Sequence, residues 1–190
     1  MKSEVRILGV DDAPFVFEDA SCMVVGVVMR GGSYVEAVLR SDVKVDGLDA
    51  TKVLVKMISD SRYREQLHAI LLDGASLAGF NVVDIEGLYE KTGVPVISVT
   101  RDSPDFDAMK KALQAKCMDW EKRWEWLNKG EVWRVKTRHN PLYVRGMGVS
   151  CAEAQEIITL ATIRGALPEP VRLAHIIASG IVRGESYGKA

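Results

Sequence analysis

The sequence predicts an α/β fold: a mixed sheet in which an antiparallel three-strand meander precedes βαβ units, with helices on its flanks. Three observations carry that prediction. Three β-rich stretches crowd the first 40 residues, two of them joined by Gly31-Gly32. Helical and strand periodicities then alternate from about residue 50 onward. Neither a G-x-G-x-x-G after the first strand nor a Walker A segment is present, so the standard nucleotide-binding fingerprints are excluded.

The elements follow in order. Residues 4–10 (EVRILGV) alternate and end at Asp11-Asp12, which reads as a first strand. Residues 22–30 (CMVVGVVMR) form a near-continuous apolar run, the pattern of a strand covered on both faces. The Gly-Gly turn leads into 34–40 (YVEAVLR) and closes a hairpin. Val53, Leu54, Met57 and Ile58 then take helical spacing in 50–60. A strand at 69–72 stops at Asp73-Gly74, followed by a helix at 84–91 and a strand at 94–99. That alternation requires right-handed crossovers and parallel pairing. Ser103 is expected to cap a helix with Asp105 in its first turn, and the helix continues through 110–127 with Trp120, Trp124 and Leu127 on one stripe. Residues 129–145 read as a hairpin. Ser150 and Glu153 form a capping box for a helix over 151–163, and a last helix runs from near Pro168 to about Gly180. The meander-first order matches a ribonuclease H-like architecture better than a doubly wound dinucleotide fold.

Length and composition agree with this outline. The chain has 190 residues, 47% hydrophobic and 27% charged, which suits one domain spanning 1–190. A chain this long buries roughly 70% of its unfolded surface and needs no staple. Cys22, Cys117 and Cys151 are odd in number and widely spaced, so they read as buried or semi-buried free thiols in a reducing compartment. The apolar stretch at the N-terminus is too short for a signal peptide or a membrane span, and a soluble, cytoplasmic protein is expected. The balance of 25 basic against 26 acidic residues conceals an asymmetry. Residues 1–100 hold 10 basic and 15 acidic side chains, whereas 101–190 hold 15 basic and 11 acidic.

The chemistry sits at strand ends. Asp11 ends the first strand and Asp73 the fourth, and ends of neighbouring strands line the functional crevice of an α/β sheet. Two carboxylates brought together repel unless a cation joins them or one takes a proton. Hard oxygen ligands of this kind favour Mg²⁺ or Mn²⁺. Asp49, opening the helix before the fourth strand, reads alone as an N-cap; Asp12, Asp46 and Asp102 stand near the same edge as alternative ligands. His175 and Arg172, three residues apart, share a helix face and make a pair suited to phosphate and proton handling. In the hairpin, Lys129, Arg134, Lys136, Arg138 and Arg145 face a single acid, Glu131, with Trp133 and Tyr143 interleaved. Such a composition suits phosphate contacts and base stacking, DNA more than RNA being expected as partner. Trp120, Trp124 and Trp126 are assigned to packing.

Several of these segments, in register, resemble the endonuclease V family of ribonuclease H-like, metal-dependent nucleases. Gly9-Val10-Asp11 resembles its first-strand motif, Leu71-Leu72-Asp73-Gly74 its central one, and Gly93 to Val99 the strand that follows. LPEPVRLAH, ending at His175, resembles its C-terminal helix. The likeness spans about residues 9–180. It implies a Mg²⁺ or Mn²⁺ site from Asp11, Asp49, Asp73 and His175, with Arg101 near the phosphate, and cleavage at deaminated bases (deoxyuridine or deoxyinosine) in DNA repair. Two departures stand out. Arg40 to Val45 carries neither the aromatic nor the Pro of the family's wedge, and Gly79-Phe80-Asn81 replaces its HPR. With GVDDAPF, DGLDAT and LLDGASLAGFN, the sequence is most similar to the endonuclease dU branch, described as acting on DNA containing deoxyuridine. Two other readings compete: a non-catalytic nucleic-acid-binding module on the same fold, which needs no cluster of repelling acids, and a small-molecule phosphatase, which needs no basic aromatic hairpin.

Overall fold

The computed structural model describes residues 4–187. Its centre is a seven-stranded mixed sheet. Strands β1 (Arg6–Asp12), β2 (Ser21–Arg30) and β3 (Tyr34–Lys44) form the expected antiparallel meander. Helix α1 (Ala50–Ser59) crosses to β4 (Leu67–Asp73), which pairs parallel with β1; α2 (Ile85–Thr92) crosses to β7 (Val96–Thr100), parallel to β4. A small second ladder, β5 (Ser76–Leu77) and β6 (Asn81–Val82), follows the central Asp73. Helices α3 (Phe106–Lys116) and α4 (Trp120–Leu127) precede the hairpin of β8 (Trp133–Val135) and β9 (Leu142–Met147), and α5 (Cys151–Ala161) and α6 (Glu169–Arg183) close the chain. The sheet order is β3-β2-β1-β4-β7-β9-β8, so the first and fourth strands are neighbours as expected. Among the described residues, no helix is long and apolar enough to cross a membrane.

Both faces of the central strands are covered. Leu8, Val10, Ile70 and Leu72 pack with Leu54, Ile58 and Leu88 of α1 and α2. The alternate residues Ile7, Ala69, Leu71, Ile97 and Val99 pack with Ile157 and Ile158 of α5 and Val171 of α6. That two-residue alternation puts Asp11 and Asp73 on the second face, since they continue the series Ile7–Gly9–Asp11 and Ala69–Leu71–Asp73.

Three expectations are corrected. The helix foreseen through 110–127 is two helices, because Cys117 is extended (φ −122°, ψ 123°) and ends α3. The cap of α3 is Asp105, whose carboxylate accepts from the Ala108 amide, and not Ser103. The break allows Trp120, Trp124 and Leu127 to pack against Leu113 and Val82 in a third cluster, which is the packing role assigned to these tryptophans. Of the three thiols, Cys22 and Cys117 are buried but Cys151 is exposed. The capping box of Ser150 and Glu153 is present as expected.

Candidate metal centre

The site is assembled by a match of two periodicities. Helix α6 lies against β1 so closely that a Cβ on Gly9 would stand 2.1 Å from the Pro170 carbonyl carbon. Only a glycine admits that approach. Four residues along a helix rise about 6 Å, and two residues along a strand about 6.7 Å. Moving from Val171 to His175 therefore keeps pace with moving from Gly9 to Asp11. Nδ1 of His175 lies 2.8 Å from Oδ2 of Asp11. Parallel pairing of β1 with β4 then brings Asp73 alongside. One ligand atom from each of Asp11, Asp73 and His175 falls within 4.8 Å of the others.

Electrostatics mark this cluster as short of positive charge. Asp11 is 4% exposed, and its carboxyl is pushed from an ordinary 3.8 up to about 9. Burial is the largest cause; the charges of Asp73 and Asp12 add to it. Asp73 is raised as well, again first by burial, while the charges of Arg101 and His175 oppose the rise. A buried carboxylate, a half-buried one and a half-buried imidazole, facing one another, are a donor set that fits a small divalent cation. The three open onto a cavity of about 480 Å³.

The other expected ligands do not join this group. Asp49 opens α1 without capping it; its Oδ1 accepts from the Asn81 side chain at 2.7 Å and the Lys44 amide at 3.2 Å. Asp46 accepts from the Phe80 amide at 2.8 Å, and Asp12 from the Ala78 amide at 2.6 Å. Each of these acids ties down the turn between β5 and β6. Asp102 is exposed beside Arg101.

The expected strand contacts divide in two. Arg101 is exposed just past β7, next to a cavity it shares with Tyr143, and its charge acts on Asp73. Arg134, Lys136 and Arg138 are also exposed. Because β9 runs antiparallel to β7 with Tyr143 opposite Thr100, the 136–141 loop emerges at the same sheet edge as Asp11 and Asp73. Trp133 is half-buried and packs over Gly146. Two residues are corrected. Arg145 is 5% exposed, with its guanidinium over the Phe106 ring and a bond to the Lys129 carbonyl, so it is part of the packing. Arg172 is held by both oxygens of Glu169, one turn back, and lines a cavity with Gly32 and Ser33 near the opposite sheet edge. The pair it was expected to form with His175 is absent.

The sequence model of the family described as Endonuclease dU matches residues 3–182. The chain belongs to the endonuclease dU family. A UPF0215 protein of Methanothermobacter thermautotrophicus is 47% identical over 192 residues, covering 100% of this chain and 94% of the relative. Among solved structures, a protein of unknown function from Archaeoglobus fulgidus superposes with a TM-score of 0.87 at 38% identity, covering 95% of this chain and 100% of that one. Endonuclease V of Ciona intestinalis, solved with a 24mer DNA containing an inosine followed by a ribo-adenosine, gives 0.64 at 14% identity, covering 95% and 87%. The fold is ribonuclease H-like, as the element order predicted.

Sequence reasoning overlooked the residue that organises this edge in this endonuclease dU member. Arg123, 5% exposed on α4, pairs with Asp119 and donates to the carbonyls of Asp46, Gly47 and Phe80. It thereby staples the Asp46–Asp49 loop to the β5–β6 turn, where Ala78 and Asp46 take positive φ of 47° and 52°. Nothing in a helical Arg at i+4 from an Asp reveals a reach of 76 residues.

Proposed function

We propose that this protein is a divalent-metal-dependent endonuclease that cuts nucleic acid at deaminated bases, deoxyuridine or deoxyinosine, in DNA repair. The observation that carries the reading is the convergence of Asp11, Asp73 and His175 within 4.8 Å at the mouth of a cavity, in a chain of the endonuclease dU family. The family's description and the DNA bound by the structurally similar Ciona endonuclease V support nucleic acid as the substrate.

Asp11 and Asp73 are the carboxylates that would hold a Mg²⁺ or Mn²⁺ ion, with His175 beside them. When bound, such an ion supplies Lewis-acid polarisation of a phosphate and eases deprotonation of water. The chain's own groups do the rest. His175 is oriented by Asp11 through Nδ1, which leaves the ring positioned to take up or release a proton at the cavity. Arg101 offsets charge gathering on the scissile phosphate. Asp49 serves by positioning: it holds Asn81, whose Oδ1 accepts from the Ala50 amide and so fixes the start of α1. Arg134, Lys136 and Arg138 extend a cationic path away from the site for the strand.

The test is a cleavage assay with Mn²⁺ and matched oligonucleotides containing uracil, hypoxanthine or only normal bases. Wild type is expected to cut the modified strands in preference. Asp73→Asn removes several kcal/mol of transition-state stabilisation and is expected to slow cleavage at least about 100-fold. Undiminished cleavage by Asp73→Asn contradicts the assignment.

A further inference from the structure

The cavity above Asp11, Asp73 and His175 has a second wall that the proposed chemistry leaves unused. On one side the loop between β1 and β2 contributes Pro14 and Phe15; on the other stand Arg183 at the end of α6 and Tyr187 just beyond it. Beyond Phe15 stands Phe17, 68% exposed, its ring edge-on to that of Phe15 at 5.6 Å between centroids. Val16 between them is 59% exposed. The loop is ordered by its own bonds: the Val16 amide donates to Asp19 Oδ2, and the Asp19 amide to the Val16 carbonyl, both at 3.0 Å. On the facing wall the Arg183 guanidinium lies 4.8 Å from the centre of the Tyr187 ring, and Tyr187 is 61% exposed.

The ligand follows from the chemistry of the two walls. Phe15 is half-buried, one side against the core and the other on the cavity, while Phe17 beside it is held toward water, an exposure that contributes no folding energy. Glu18 and Asp19, both exposed on the same loop, repel phosphate, so the loop suits an uncharged flat face. Tyr187 with its stacked Arg183 offers a second flat face plus a cation. A molecule with an anionic group for the Arg183 guanidinium and an aromatic ring for the flat faces beside it suits these walls. A cavity of about 480 Å³ falls in the usual range for small-ligand pockets, roughly 300–1,000 Å³. We propose that Phe15 and Phe17 of the β1–β2 loop, with Tyr187 beyond α6, form a stacking clamp for an unstacked nucleobase of the strand being cut. The proposal rests on the nuclease reading and adds the contact that holds the base while its phosphate lies at Asp11 and Asp73.

The test uses the full chain and a single-stranded oligonucleotide carrying 2-aminopurine, titrated in chelator so that no strand is cut. Loss of one stacking partner is expected to weaken binding about 5- to 100-fold. Phe17→Ala and Tyr187→Ala should each show that loss and a diminished change in 2-aminopurine fluorescence, whereas Phe17→Trp should keep both. All three should retain the wild-type rise in melting temperature with Mn²⁺, which shows that the fold and the carboxylate cluster are intact. If wild type cuts nucleic acid with Mn²⁺, and Phe17→Ala and Tyr187→Ala bind and respond as wild type does, the clamp is refuted while the nuclease reading stands. If wild type neither binds nor cuts any oligonucleotide, the nuclease reading falls and the clamp with it.

Discussion

Two acid-rich regions lie along one edge of this sheet, and they behave oppositely. In the Asp46–Asp49 loop every carboxylate has a donor supplied by the chain: the Phe80 amide for Asp46, and Asn81 with the Lys44 amide for Asp49. In the Asp11–Asp73 cluster Asp11 accepts from the Asp12 amide at 2.9 Å, yet the acids face each other and an imidazole, and burial outweighs that bond and holds both above the ordinary carboxylate range. Acids of the first kind stabilise the fold by satisfying backbone and amide groups. Those of the second carry an electrostatic cost in the fold, which the proposed cation would offset. The sign of a mutation's effect should therefore separate the two regions.

The largest effect is expected where the satisfied region is cut loose. Arg123→Met strands Asp119 and removes the donors to three carbonyls, so chemical denaturation should show a loss of about 3–5 kcal/mol. A loss well under 1 kcal/mol breaks the claim that this arginine staples the loop.

A change of opposite sign is expected in the other region. The Asp11 carboxyl titrates at about 9 in the folded protein, far above an ordinary 3.8. Between those values the folded state keeps a proton that the unfolded chain releases, so metal-free stability falls as pH rises from about 4 toward about 9. Asp11→Asn removes that slope. Its melting temperature in chelator at pH 8 should exceed that of wild type by roughly 2–8 °C, with the difference shrinking toward pH 5. An Asp11→Asn protein less stable than wild type at pH 8 removes the contrast between the regions.

The smallest effect sharpens the role of the exposed cations. Reversing Arg134 and Lys136 to Glu should leave stability nearly unchanged and reduce the slope of log affinity against log salt by about 2. Unchanged binding assigns the hairpin to structure alone.

The sequence disclosed the meander, the parallel crossovers and the two strand-end aspartates because each rests on short-range periodicity. Asp73 stops a buried apolar run, and Asp11 ends an alternating one; both signals survive folding. His175 was legible through its family-like helix, though its contact with Asp11 depends on Gly9 admitting α6 against β1. Long-range pairing hid the rest. Asp49 takes a place in line with the acids, but Asn81, 32 residues away, claims its carboxylate. Arg145 and Arg172 share the composition of a binding surface; only the packed structure shows Phe106 under one and Glu169 on the other. The β1–β2 loop carries no periodic signal, and only the folded chain places Phe15 on the cavity with Phe17 against it.

One measurement tests the central claim most directly: the melting temperature of wild type, Asp73→Asn and Asp49→Asn, each with and without Mn²⁺ at pH 8. An ion at 100 times its dissociation constant stabilises a protein by about 2.7 kcal/mol, equivalent to roughly 5–11 °C for a chain of this size. The cation site proposed at Asp11 and Asp73, beside His175, predicts that rise in wild type and Asp49→Asn and its loss in Asp73→Asn. A full rise in Asp73→Asn, or a loss confined to Asp49→Asn, contradicts it.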